Sequence, residues 1–238
     1  MRDEPVQPYG ELRQHAPGLW TLEGEWYDTP FRRRMTVMRL DSGGLVIHSA
    51  IRLLDEDWAR LDALGPVQVV VAPNRFHGSE AHFYKARHPR ARLFASRGAE
   101  RELRARCEVD GLLPAEWPPE LEREVACLEL EGTRCGLHEC VFLHRASRTL
   151  VLTDAAFNLQ DEPRGLTRLL FRLNRIHRRF GPSRLFRRLF VGDLARARAS
   201  FARLLEWEFE RVVVSHGEVV EHDGREALRR GCAELGLA

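Results

Sequence analysis

The sequence predicts a layered α/β protein, and three observations carry that prediction. Strand-like and helix-like segments alternate through the first half of the chain, as they do where helices cover a sheet. The run Val67-Gln68-Val69-Val70-Val71 is apolar except for Gln68, which suits a strand buried on both faces. Two later apolar strands run straight into a polar group: Asp154 after Leu150-Val151-Leu152-Thr153, and His216 after Val212-Val213-Val214-Ser215.

Residues 19–22 and 35–40 read as strands, the second one alternating. Asp41-Ser42-Gly43-Gly44 is a hairpin-like turn into a strand at 45–48. Residues 55–64 form a short helix with acids in its first turn, stopped by Gly65-Pro66. After the buried strand come a helix at 79–87 closed by His88-Pro89, a strand at 91–95 and a helix at 98–107. A loop rich in proline and glutamate at 114–119 precedes strands at 125–130, 139–144 and 149–153, with Ala146-Ser147-Arg148 as the last turn. Residues 191–207 are helical, 211–215 a strand and 225–235 a closing helix.

The chain has 238 residues and is 44% hydrophobic, which excludes a disordered chain. Its net charge of +2 excludes a uniformly basic nucleic-acid binder while leaving room for a local basic face. No stretch approaches the roughly 20 apolar residues of a membrane span. Residues 1–5 lack the apolar core of a signal peptide. The five cysteines, Cys107, Cys127, Cys135, Cys140 and Cys232, contain no C-x-x-C pair, so the expectation is reduced thiols in a cytoplasmic protein. Lys85 is the only lysine, a bias better explained by arginine codons than by chemistry.

Charge is nevertheless segregated. Residues 164–203 hold twelve arginines and one acid, Asp193, which leaves them at +11 and the rest of the chain at −9. Leu166, Leu169, Leu170, Leu173 and Ile176 recur at helical spacing, with Arg168, Arg172, Arg175 and Arg179 on other faces. Gly181-Pro182-Ser183 interrupts this pattern, and Ser183 is placed to cap a second helix through Phe190. The plainest expectation is a helical flap whose leucine stripe packs on the body. A basic amphipathic segment at 166–190 also suits an anionic membrane surface, or a small anionic ligand held by guanidinium groups. Nucleic acid fits less well, because no aromatic platform accompanies the arginines.

Four places offer metal-binding chemistry. His77 and His82 follow the buried strand in Asn74-Arg75-Phe76-His77-Gly78-Ser79-Glu80-Ala81-His82. Cys135 and His138 precede a strand, and Asp154 and His216 end strands. In α/β layers the carboxyl ends of strands are where ligands converge.

In this order the features resemble the metallo-β-lactamase superfamily, over roughly residues 19–235. That resemblance implies a four-layer αββα sandwich with metals at the edge between the sheets. It also implies a single domain over 1–238, with the arginine-rich helical insert at about 161–192. The family signature Thr-His-x-His-x-Asp-His is altered here: Asn74 replaces the first histidine, Phe76 the second, Gly78 the aspartate and Ser79 the last histidine. Cys135 falls near the next family histidine, with His138 close by. The family's early Asp-Thr-Gly strand end reads His48-Ser49-Ala50. Thr153-Asp154 matches the bridging aspartate, and His216-Gly217 matches the last histidine. Bacterial proteins known by a metallo-β-lactamase-like domain of unknown function share Ala-Pro-Asn-x-x-His, Leu-Thr-Asp and a late His-Gly.

Two functions follow from the resemblance. One is a metal-dependent hydrolase with a remodelled site, in which His77 or His82, Asp154 and His216 hold one divalent ion, zinc or iron. Asp154 and His216 would serve catalysis, Asn74 would be a weak oxygen ligand or substrate contact, and Arg168 and Arg172 would meet an anionic ester, thioester or phosphoester. The other is a metal-free ligand-binding or scaffolding protein of the same fold, with no cofactor.

Overall fold

Seven strands lie in one sheet in their chain order: β1 (Arg13–Ala16), β2 (Leu19–Glu25), β3 (Arg32–Arg39), β4 (Leu45–His48), β5 (Val67–Ala72), β6 (Arg92–Ser96) and β7 (Gly111–Leu113). The pairs from β1 to β4 are antiparallel and those from β4 to β7 parallel. The parallel steps carry α1 (Trp58–Asp62), α2 (Ala81–Arg87) and α3 (Arg97–Arg104) in their crossovers. The computed structural model describes residues 6–26, 29, 31–160 and 165–238. The sequence readings at 1–5 and at 161–164, the start of the expected insert, lie outside the described residues.

A second sheet contains β8 (Val125–Glu129), β9 (Cys140–His144), β10 (Thr149–Leu152) and, as the last strand, β13 (Arg211–Val214), in the order β13-β10-β9-β8. Between β10 and β13 the chain makes β11 (Phe157–Asn158), α5 (Gly165–Leu173), β12 (Phe180–Gly181), a π-helical turn at Phe186–Phe190 and α6 (Leu194–Leu205). A short helix, α4 (Pro119–Glu122), precedes β8, and α7 (Gly224–Ala233) closes the chain.

Side-chain alternation along the strands builds three apolar layers. Val70 and Ala72 of β5 face outward with Met35, Ile47 and Leu93, against Trp58, Leu61, Tyr84 and Leu103 from the helices. Val69 and Val71, one step away, face inward with Met38, Val46 and Phe94 and meet Cys140, Phe142, Val151 and Val213 of the second sheet. On the far side, Leu150, Leu152, Val212 and Val214 pack on Phe201 and Leu204 of α6 and on Leu228 and Cys232 of α7. The order is helices, sheet, sheet, helices. This is the αββα sandwich expected from the sequence, and β5 is indeed covered on both faces.

The insert departs from expectation. Of its predicted stripe only Ile176 packs on the body: Leu166 is 70% exposed, and Leu169, Leu170 and Leu173 are also exposed. Phe171 turns inward instead and stacks on Phe31 at 5.6 Å, in a small cluster with Leu159 and Ile176. One large ring on the inner face anchors the helix, so the four leucines on the opposite face are left in solvent. Ser183 caps as expected, its hydroxyl accepting the Phe186 N–H at 2.8 Å, but the turn that follows is π-helical. Asp193 caps α6 through the N–H groups of Ala195 and Arg196. Among the described residues, no helix is long and apolar enough to cross a membrane.

Candidate metal centre

Strands β10 and β13 run parallel with Leu152 opposite Val214. Two residues beyond each partner stand Asp154 and His216, so the register delivers both side chains to one place. Across the interlayer, β4 and β5 are parallel with His48 opposite Val71. Ser49 and His77 leave this second pair of strand ends. The Cys140 N–H donates to the Pro73 carbonyl at 2.8 Å, and Asn74 Nδ2 donates to Thr153 Oγ1 at 2.8 Å, which ties the two sheet edges together. Gly217 lets the chain turn away after His216. Its φ is +101°, and a Cβ there would lie 2.1 Å from the Asn158 carbonyl oxygen.

His77, Asp154 and His216 each bring one ligand atom within 4.8 Å of the others, the one such group of three among the described residues. Nε2 of His216 lies 3.3 Å from Asp154 Oδ1, and Nε2 of His77 lies 3.5 Å from Oδ2. Hydrogen bonding orients His216. Its Nδ1 is 2.6 Å from the Arg32 carbonyl, which only accepts, so Nδ1 carries a proton and Nε2 is the atom turned towards Asp154. His77 Nδ1 is 2.9 Å from Ser49 Oγ, and its buried Nε2 has no hydrogen-bond partner. Two ring nitrogens thus face one carboxylate, an arrangement that a proton or a cation between them would satisfy.

The donor set fits a divalent cation. Two imidazoles and a carboxylate are a ligand set for zinc or non-haem iron. The Asp154 oxygens lie 3.3 and 3.5 Å from the two ring nitrogens, and all three ligand atoms lie within 4.8 Å of one another, so these three side chains would hold such an ion. Each ligand is also held from behind, His216 by the Arg32 carbonyl, His77 by Ser49 and Asp154 by Asn74. Ser49 is fixed for this task in the left-handed region, at a φ of 56°.

Charge in the site is set by burial and by neighbours. Burial alone would raise the Asp154 carboxyl, but His77 and His216 outweigh it and hold the group well below the usual carboxylate range. Burial lowers His77, against the pull of Asp154. Glu139 is fully buried; it accepts the N–H groups of Thr153 and Asp154 at 2.8 and 3.1 Å, and burial followed by the Asp154 charge pushes it up to about 7. Over the group lie aromatic rings: Trp26 at 5.6 Å from His77 and 5.8 Å from His216, Phe157 stacked on His216 at 5.5 Å, and Phe31 edge-on at 5.7 Å.

No family model matches the sequence, and no curated protein matches it. Solved structures do. A metallo-β-lactamase from Hirschia baltica superposes with a TM-score of 0.62 over 96% of this chain and 98% of that one, at 14% identity. FIM-1 from Pseudomonas aeruginosa, in its mono-zinc form, gives 0.62 over 98% of both chains at 11% identity. The metal-soaked flavodiiron core of Flv1 from Synechocystis sp. PCC6803 gives 0.66 at 14% identity, over 98% of this chain and 62% of that one. The chain has the metallo-β-lactamase fold.

On this metallo-β-lactamase fold the expected site residues divide. His77, Asp154 and His216 converge. His82 does not join them: it lies on α2 against Phe83, with Nδ1 2.8 Å from the Ser79 carbonyl. Asn74 is fully buried, and both ends of its amide are engaged internally. Oδ1 accepts the N–H groups of Phe76 and His77 at 2.8 and 3.0 Å, and Nδ2 holds Asp154 at 2.6 Å. It therefore positions the site where the sequence suggested a ligand or substrate contact. Cys135 is exposed beside the Leu189 carbonyl, and His138 pairs with Glu129 at 2.9 Å, so neither enters the group. Arg168 and Arg172 lie on exposed faces of α5. Glu139, Ser49, Trp26 and Phe31 were not singled out from sequence. Their signals are an acid leading a fully buried strand, a serine after a strand end and two aromatics flanking a hairpin connection.

Proposed function

We propose that this chain is a hydrolase-like protein that holds one divalent ion, of the zinc or iron class, in His77, Asp154 and His216. The observation that carries the reading is the pair of imidazole nitrogens facing one carboxylate inside the protein. An ion of this class supplies Lewis acidity and makes water a nucleophile near neutral pH. The chain's own residues hold the ligands in place: the Arg32 carbonyl and Ser49 fix the rings, and Asn74 and Glu139 fix Asp154. Trp26, Phe31 and Phe157 keep bulk water from the group. The substrate class we propose is a small anionic ester, thioester or phosphoester, with Arg168 and Arg172 supplying positive charge from α5.

One observation favours a second reading, a metal-free binding or scaffolding protein. The side chains of His77 and His216 are only 1% and 2% exposed, which suits a closed polar cluster. Elemental analysis after reconstitution separates the two. Close to one equivalent of zinc or iron, lost in His216→Ala, supports the metal reading. No bound metal in the folded wild-type protein, with His216→Ala merely unfolding more readily, supports the second.

A further inference from the structure

Residues 165–192 carry eight arginines and not one acid. Within them α5 is turned inside out. Leu166, Leu169, Leu170 and Leu173, at i, i+3, i+4 and i+7, form one face that is 48–70% exposed, while Phe171 alone is buried. The apolar patch continues beyond the helix. The Arg184 N–H donates to the Asn174 carbonyl at 3.0 Å, and its guanidinium donates to the Leu173 carbonyl at 3.2 Å. This brings the start of the π-helical turn against the end of α5, and Leu185 and Leu189 in that neighbouring segment are exposed as well. Exposed arginines flank the leucines, among them Arg172, Arg184 and Arg188.

The base under this surface is firm. Phe171 stacks on Phe31, and β11 pairs with β12. Gly181 of β12 meets Gly231 of α7 so closely that a Cβ would lie 2.9 Å from its Cα. Arg175 and Arg179 pair with Glu234 just past α7. The leucines are therefore presented by a supported element.

We propose that this face docks the protein on an anionic membrane surface, with Leu166, Leu169, Leu170, Leu173, Leu185 and Leu189 entering the headgroup boundary and the arginines meeting lipid phosphates. Charge selects this occupant. A second copy would bring the same acid-free, arginine-rich patch against itself, because a two-fold interface pairs a surface with itself. Nucleic acid would match the arginines but leave six leucines in water. A bilayer with anionic lipid satisfies both halves: each basic side chain near the surface strengthens partitioning about fivefold, and leucines supply the apolar part. The inference does not rest on the metal reading, since none of these residues holds the ion; Arg172 alone also figures in the proposed substrate contact, and the leucine variant leaves it untouched.

Co-sedimentation of the full chain with vesicles tests it, using phosphatidylcholine alone and phosphatidylcholine with phosphatidylserine. The expected result is binding to the anionic vesicles at low salt, at least tenfold weaker at high salt and on neutral vesicles. Leu169→Ser with Leu173→Ser, both exposed, should lower binding at least tenfold while the circular dichroism spectrum and Tm stay at wild-type values. Arg172→Glu with Arg188→Glu should do the same. Three results would overturn the proposal: no binding to anionic vesicles at low salt; full binding by the leucine variant; or dimerisation in light scattering, or single-stranded DNA binding, that the leucine variant abolishes in the absence of lipid.

Discussion

Asn74 shows how much of this site rests on one amide. Its carbonyl oxygen takes two loop N–H groups, and its nitrogen holds Asp154 and Thr153. Asn74→Ala leaves those groups buried without partners, so urea unfolding should show a loss of about 2–4 kcal/mol. Its role was not legible in the sequence, where it occupies the place of a family histidine, because a capping amide and a metal ligand look alike without coordinates. His48 is the second case. It is fully buried against Phe142, neither ring nitrogen has a hydrogen-bond partner, and burial, with His77 adding to it, pushes it down to about 3. Its folded pKa lies below its ordinary 6.5, so the unfolded chain takes up the proton first. The stability from this residue is complete above about pH 6.5 and is lost as pH falls towards 3, by up to about 1.4 kcal/mol per unit. Unfolding free energies measured from pH 7 to 4 should fall less steeply in His48→Met than in the wild type. Equal slopes would show that His48 does not titrate this way.

At the scale of elements, strand ends place the site. The parallel register of β10 and β13 carries Asp154 and His216 out together, and this was legible as two apolar strands that stop at polar groups. His77 was legible as a residue after a buried strand, but its choice over His82 was not, since only the course of the loop separates a ring at the sheet edge from one on α2. The edge strands β1 and β7 were missed because they are short and weakly patterned. The insert was misjudged for a different reason. A stripe of leucines normally marks the buried face of a helix, and here a single phenylalanine on the other face decides the orientation. Gly217 is the tightest point among these elements. Gly217→Ala puts a methyl group against the Asn158 carbonyl at a positive φ and should destabilise the protein by about 2–4 kcal/mol in thermal or urea unfolding. The displaced His216 should also weaken metal uptake.

At the scale of the whole molecule, the two sheets share an inner layer and enclose the site at one edge, and the basic insert is anchored beside it through the Phe31–Phe171 stack. The net charge of +2 hides this division between a positive insert and a negative body. The central claim is that two imidazoles and one carboxylate are assembled here for a cation. Calorimetric titration of zinc into the metal-stripped protein tests it most directly, with Asp154→Asn as the comparison. The account predicts one site per chain in the wild type, and binding at least about a hundredfold weaker in the variant, which keeps its bond-forming shape but loses the charge between the rings. A wild-type protein that binds no zinc or ferrous ion, or an Asp154→Asn variant that binds as tightly as the wild type, would contradict it.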